Sequence, residues 1–226
     1  MHALLEAYAE RPDFWFEMSV WDGNNAGKPK KGMRKKDFYL EHGQTWSSER
    51  YAGFVQFGLW LLRPRVVREF RGSTMPRDEF GADFEAMVAG ADRVWQDPVL
   101  TRFWRHGELV PNRSRKHPYQ SKIPEKWKDV DRWFLLSTNL DPPGEWKLET
   151  EIPVFSLARV LGEGDGREWL LYAHSPLQPR RGVEIEIPGL AKVKVDVTPG
   201  GAFYLVKARD KAATPVIDSS AARSAK

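Results

Sequence analysis

The stretch Phe14-Trp15-Phe16-Glu17-Met18-Ser19-Val20-Trp21 holds six apolar residues in eight, interrupted only by Glu17 and Ser19. A run this short and apolar reads as a strand, and apolar side chains on both of its faces need cover on both. Parallel strands flanked by helices meet that condition, so residues 14–21 are expected in a parallel sheet. Neighbouring segments agree. Leu4, Leu5 and Tyr8 precede the run at helical spacing, and a polar segment rich in Gly, Lys and Asn follows it from Asp22 to about Gln44. Ser47 or Ser48 then stands where it caps a short helix ahead of Glu49. Phe54–Leu62 is expected to be a second buried strand, with helix as the alternative because short apolar runs fit both. Phe80, Phe84, Met87, Ala91, Val94 and Trp95 share one helical face over 78–96. Asp97-Pro98 gives the N-cap and first residue of another helix through Trp104. Alternating α and β segments of this kind are the mark of βα units.

Between about Leu109 and Lys128 the composition shifts to Pro, Asn, Arg, Lys and His without periodicity. Beyond it the pattern changes to strand-length runs at Arg132–Thr138, Pro153–Val160, Trp169–His174, Val183–Ile187, Lys192–Val197 and Ala202–Lys207, separated by Gly, Pro and Asp turns. Val183–Ile187 and Lys192–Val197 alternate strictly, as strands with one wet face do. The expected organisation is therefore an α/β part over 1–108, a linker over 109–130, an antiparallel β-sandwich over 131–207, and a disordered tail over 208–226 whose Ala, Ser, Thr and Lys carry no pattern.

Phe14–Gly23, together with Phe54–Pro64 and the helix after it, resembles the last two βα units of a (β/α)8-barrel glycoside hydrolase. Arg167–Pro176, running on to Gly201-Ala202-Phe203-Tyr204-Leu205-Val206, is similar to the small C-terminal β-sandwich appended to many such barrels, including the domain labelled collagen-binding in some families. The resemblance covers roughly residues 1–207. It implies an α/β portion followed by all-β: the end of a TIM-type barrel, then the sandwich. A closed barrel takes about 250 residues, so the barrel is expected to be incomplete here, with the missing strands encoded upstream or carried on another chain.

In retaining members of that clan the nucleophile is a Glu at the C-terminal end of barrel strand seven, the position that Glu17 matches. The chemistry needs a second carboxyl about 5–5.5 Å away, which the missing strands would supply. A structural role, pairing with an Arg such as Arg63 or Arg65, is the alternative. Ten Trp, twelve Phe and six Tyr are many for 226 residues. Indole rings suit the C–H faces of sugars, which makes Trp15, Trp21, Trp46 and Trp60 candidates, with Trp21 and Trp60 assigned to substrate. Arg63 and Arg65, flanking Pro64, are assigned to a carboxylate or sulfate on that substrate, which a guanidinium binds bidentately. Core packing is the alternative for the tryptophans, and a solvated loop or an ion pair with Glu69 is the alternative for Arg63 and Arg65.

The run Lys28–Lys36 has six basic residues in nine positions, which is expected to keep it extended as a loop and points to an acidic or sulfated polysaccharide, with a solvated basic loop that binds no ligand as the alternative. The overall balance of 35 basic and 31 acidic residues is too even to argue for nucleic acid, and no recognisable nucleic-acid fold is present. Without cysteine there are no disulfides and no thiolate chemistry. His2, His42, His106, His117 and His174 do not cluster, so neither a catalytic metal nor a cofactor is expected. No apolar run approaches the roughly 18 residues of a membrane helix. The first residues carry neither a basic n-region nor a long apolar h-region, which leaves localisation open; a secreted or periplasmic parent would suit the resemblance. The competing assignment is a non-catalytic carbohydrate- or matrix-binding protein that works through the sandwich.

Overall fold

The computed structural model describes residues 9–10, 13, 15–20, 27–43, 45–69, 76–112, 133, 135 and 154–217. Strand β1, Trp15–Met18, is followed by helices α1, Lys35–Glu41, and α2, Ser48–Leu62, and then by strand β2, Val66–Glu69. β1 and β2 pair in parallel, with Trp15 opposite Val66 and Glu17 opposite Arg68. Parallel neighbours need a crossover connection, and α2 provides it.

The strand expected over Phe54–Leu62 is instead the body of α2, the helical alternative for that run, and β2 begins just beyond Pro64. Ser47 starts the helix by accepting a hydrogen bond from Arg50 N at 3.2 Å, and Arg63 ends it in the left-handed region at φ 47°. The residues are apolar on every side because both flanks of α2 are covered. On one flank Phe16 of β1 packs so closely that a Cβ at Gly58 would lie 2.1 Å from its ring. The opposite flank meets the C-terminal half: Phe57 packs edge-on to Phe155, and Tyr172 donates to Gly53 O at 2.7 Å.

Helices α3, Arg77–Gln96, and α4, Pro98–His106, follow as the sequence implies. Asp97 Oδ1 accepts from Val99 N at 2.8 Å and Leu100 N at 3.1 Å, with Pro98 in the first helical position. α3 buries Phe80 and Val94, whereas Trp95, expected on the same face, is exposed.

The remaining strands are β3, Glu108–Leu109; β4, Phe155–Leu161; β5, Glu168–His174; β6, Arg180–Ile187; β7, Ala191–Val197; β8, Ala202–Lys207; and β9, Ala213–Pro215. Five of them form an antiparallel sheet in the order β3-β4-β5-β8-β9, and β6 and β7 form a separate hairpin. β3 lies across the expected boundary at residue 109, while 113–132 fall outside the described residues. β9 lies within the stretch expected to be an unstructured tail; it adds to the edge of β8 through backbone bonds that its composition does not signal. In the hairpin Ile185, Ile187, Val193, Val195 and Val197 are buried, and Glu184, Glu186, Lys192 and Lys194 are exposed, as strict alternation requires.

The five-stranded sheet is covered on both faces. Phe155, Leu157, Leu170, Tyr172 and Phe203 join the cluster built on α2. Ala158, Trp169, Leu171, Tyr204 and Val206 join the cluster built on the β6–β7 hairpin. His174 sits on the α2 side, fully buried, with its ring stacked on Phe155 and edge-on to Phe54 and Phe57. Burial pushes its pKa down to about 3, and the nearby Arg50 charge acts in the same direction. Tyr172, the other titratable neighbour, is held neutral by its own burial. A folded-state pKa below the unfolded value near 6.5 means that the unfolded chain takes up a proton first as pH falls. Stability contributed by neutral His174 is thus intact above about pH 6.5 and is lost between there and pH 3, at about 1.4 kcal/mol per pH unit. Urea midpoints measured at pH 7.5 and 5.5 should fall for the wild type and fall distinctly less for His174→Gln; equal falls would contradict a buried neutral imidazole.

Candidate active site

The two strands of the β1–β2 pair divide their side chains between two faces. Phe16 points at Gly58 of α2, and Glu69 accepts a hydrogen bond from Tyr51 of α2, so the period of two sends Trp15, Glu17, Val66 and Arg68 to the other face. Trp15 is 58% exposed there. Arg68 Nε donates to Glu17 Oε1 at 2.5 Å, and its guanidinium lies 5.6 Å over the Trp15 ring. This open face therefore presents a carboxylate, a guanidinium and an indole side by side, with Glu17 one residue short of the C-terminal end of its strand.

That strand end is fixed from the helix side. Val20 N donates to Glu69 Oε1 at 3.0 Å, Thr45 Oγ1 donates to Val20 O, and Tyr51 donates to Glu69 Oε2. Burial raises the Glu69 pKa, opposed by the bonds from Tyr51 and Val20. The same burial pushes the Tyr51 phenol up. Glu69 and Tyr51 thus hold the backbone three residues beyond Glu17. The sequence offers Glu69 only as an ion-pair partner for Arg63 or Arg65, whereas Arg63 pairs with Glu10 and Glu69 meets Val20 and Tyr51.

The other expected site residues are dispersed. Trp60 is 1% exposed, edge-on to Trp104 at 5.2 Å and to Phe203 at 5.2 Å, so its ring belongs to the core and not to a substrate surface. The exposure expected of it followed from the strand assignment, which α2 replaces. Trp21 lies outside the described residues. Arg63 pairs with Glu10 at 3.2 Å and donates to Gly107 O at 3.2 Å. Arg65 is exposed just before β2, at the N-terminal end of the pair and so away from the end that carries Glu17. Glu17 pairs with neither of them.

The basic run is only partly an extended loop. Its last two lysines begin α1, and Lys36 is buried in an ion pair with Asp83 of α3, donating also to Ser48 Oγ at 2.9 Å. Arg34 meets both oxygens of Asp37 at 2.8 Å. Two of the six charges are therefore neutralised within the fold, while Lys28, Lys30, Lys31 and Lys35 remain exposed. Among the described residues no group of three or more His, Asp or Glu is arranged to hold a metal ion, and no helix is long and apolar enough to cross a membrane. No family model, curated protein or solved structure matches the chain.

Proposed function

We propose that this chain is the C-terminal part of a (β/α)8-barrel glycoside hydrolase with an appended β-sandwich, and that it cleaves a polysaccharide with Glu17 as the nucleophile. The observation that carries this reading is the two-sided β1–α2–β2 unit. A helix covers one face of a parallel pair, and the other face is open with a carboxylate near the C-terminal strand end, where barrel enzymes do their chemistry. The outer edges of β1 and β2 have no strand partner among the described residues, and exposed edges of this kind call for further strands. Those strands, from upstream or from another chain, bring the second carboxyl to about 5–5.5 Å from Glu17.

In the first step the Glu17 carboxylate attacks the anomeric carbon while the second carboxyl protonates the departing oxygen. The resulting glycosyl ester is hydrolysed by a water that the second residue, now a base, deprotonates. Arg68 holds the nucleophile in one orientation, the form in which proximity lowers a barrier. Lys28, Lys30, Lys31 and Lys35 lie in the segment leaving the same strand end, which favours an acidic or sulfated substrate.

The test is kcat/KM of the complete enzyme on matched neutral and anionic oligosaccharides over a range of salt. Turnover is expected, with only the anionic rate falling steeply as salt rises, because exposed charges are screened beyond about 10 Å at 0.1 M. No turnover of any polysaccharide would remove the hydrolase, and equal salt responses would remove the anionic substrate.

A further inference from the structure

At the other end of the β1–β2 pair from Glu17 the surface opens into a groove of about 940 Å³. Asp13 and Arg65 border it where the strands begin, and Trp95 and Trp104 form an aromatic wall from the end of α3 and from α4. Trp104 is half-buried against Trp60, and Trp95 stands edge-on to it at 6.5 Å. Trp95 is 56% exposed, although α3 has other apolar residues, Phe80 and Val94, to hold it to the core. The helix does not need this indole for packing, and leaving it in water sacrifices the largest apolar gain any side chain offers.

The charges around the ring are unbalanced. Arg105 lies 5.5 Å over Trp95. Arg65 is exposed and has no ion-pair partner among the described residues. Glu10, which also lines the groove, is shared by Arg63 and Arg159 and pairs with neither Arg65 nor Arg105. Asp13 is the other carboxylate lining the groove. An exposed indole with one guanidinium over it and a second lining the same groove matches a sugar ring that carries an anionic substituent: a C–H face stacks on the open side of the indole and the anion takes the fork of an arginine.

We propose that this groove is a second, non-catalytic binding site for an acidic saccharide, with Trp95 as the platform for the ring and Arg65 as the partner of the anion. It lies at the N-terminal ends of the parallel strands, the side of such sheets that does not carry the chemistry. It needs neither Glu17 nor turnover, and so stands or falls apart from the hydrolase reading.

The experiment is a titration of the full chain, labelled with nitrogen-15, followed through the indole N–H signal of Trp95, which its loss in Trp95→Phe identifies. The probes are an oligogalacturonate for carboxylate, a heparin-derived oligosaccharide for sulfate, and a maltooligosaccharide of the same length as the neutral control. One or both anionic probes should move the Trp95 signal, and the arm that does so names the anion. Arg65→Ala should weaken that binding about tenfold, the size of one lost charge-assisted contact, and Glu17→Gln should leave it unchanged. The proposal is overturned if neither anionic probe moves the signal, if the neutral control moves it equally, or if Arg65→Ala binds as the wild type does.

Discussion

Glu17→Gln is expected to lower turnover by the proposed hydrolase more than about 10³-fold while leaving the melting temperature nearly unchanged. The two halves of that expectation come from different properties of one side chain. Glutamine keeps the shape of glutamate and can still meet Arg68, but its amide oxygen cannot form the glycosyl ester on which the retaining reaction depends. The ion pair that is lost joins side chains 34% and 54% exposed, and exposed pairs of this kind contribute less than about 1 kcal/mol. A residue kept only to pair with Arg68 would show the reverse: a small loss of stability and no effect on rate. Measuring kcat and thermal unfolding on one preparation separates the two, and unchanged turnover would return Glu17 to a purely structural role.

Arg159→Met should lower the unfolding free energy by about 3 kcal/mol. Arg159 is fully buried on β4, yet it reaches three parts of the chain that are far apart in sequence. Its Nη2 donates to Trp60 O, and its Nη1 donates to Gly107 O at 3.1 Å and pairs with Glu10. The bond to Trp60 O has a particular cause. In an α-helix that carbonyl would accept from the N–H four residues on, but that residue is Pro64, which has none. The guanidinium of a strand in the C-terminal sheet thus closes the end of α2, with its charge at the favourable pole of the helix. Burial lowers its pKa to about 10, with the Arg63 charge adding to the fall and Glu10 opposing it, so it stays charged at neutral pH. Methionine fills similar space and donates nothing, which leaves the Trp60 carbonyl unsatisfied in the core. Urea denaturation at pH 7 reads the difference, and a loss under 1 kcal/mol would mean that the contacts of Arg159 contribute little.

Segments whose structure is decided locally were legible in the sequence. Asp97-Pro98 starts α4 because a carboxylate cap and a residue without an N–H both suit a first turn, whatever the surroundings. The alternation of β6 and β7 holds because one face meets a core and the other meets water. The body of α2 reads equally as strand or helix because its environment is symmetrical: with β1 on one side and the five-stranded sheet on the other, no polar stripe remains to show a period of 3.6. Ser47 was the available signal, since a cap followed by fifteen residues without Pro fits a helix better than a strand. That ambiguity extends to the site. It hid β2, and with β2 the partner of Glu17, and it moved Trp60 from the core to a supposed surface. Glu69, Tyr51 and Arg159 act through contacts between distant segments, and residue types alone do not disclose such contacts.

A covalent bond between Glu17 and a sugar can be trapped. A 2-deoxy-2-fluoro glycosyl fluoride reacts in the first step because its leaving group is activated, and then stalls because the fluorine destabilises the oxocarbenium-like transition state of the second. The complete enzyme, incubated with such probes until turnover of its polysaccharide substrate stops, is digested and its peptides are weighed. The peptide containing Glu17 should gain the mass of one fluorosugar, with fragmentation placing the sugar on that residue. Inactivation with the sugar on another carboxylate, or continued turnover with no adduct at Glu17, would contradict the account.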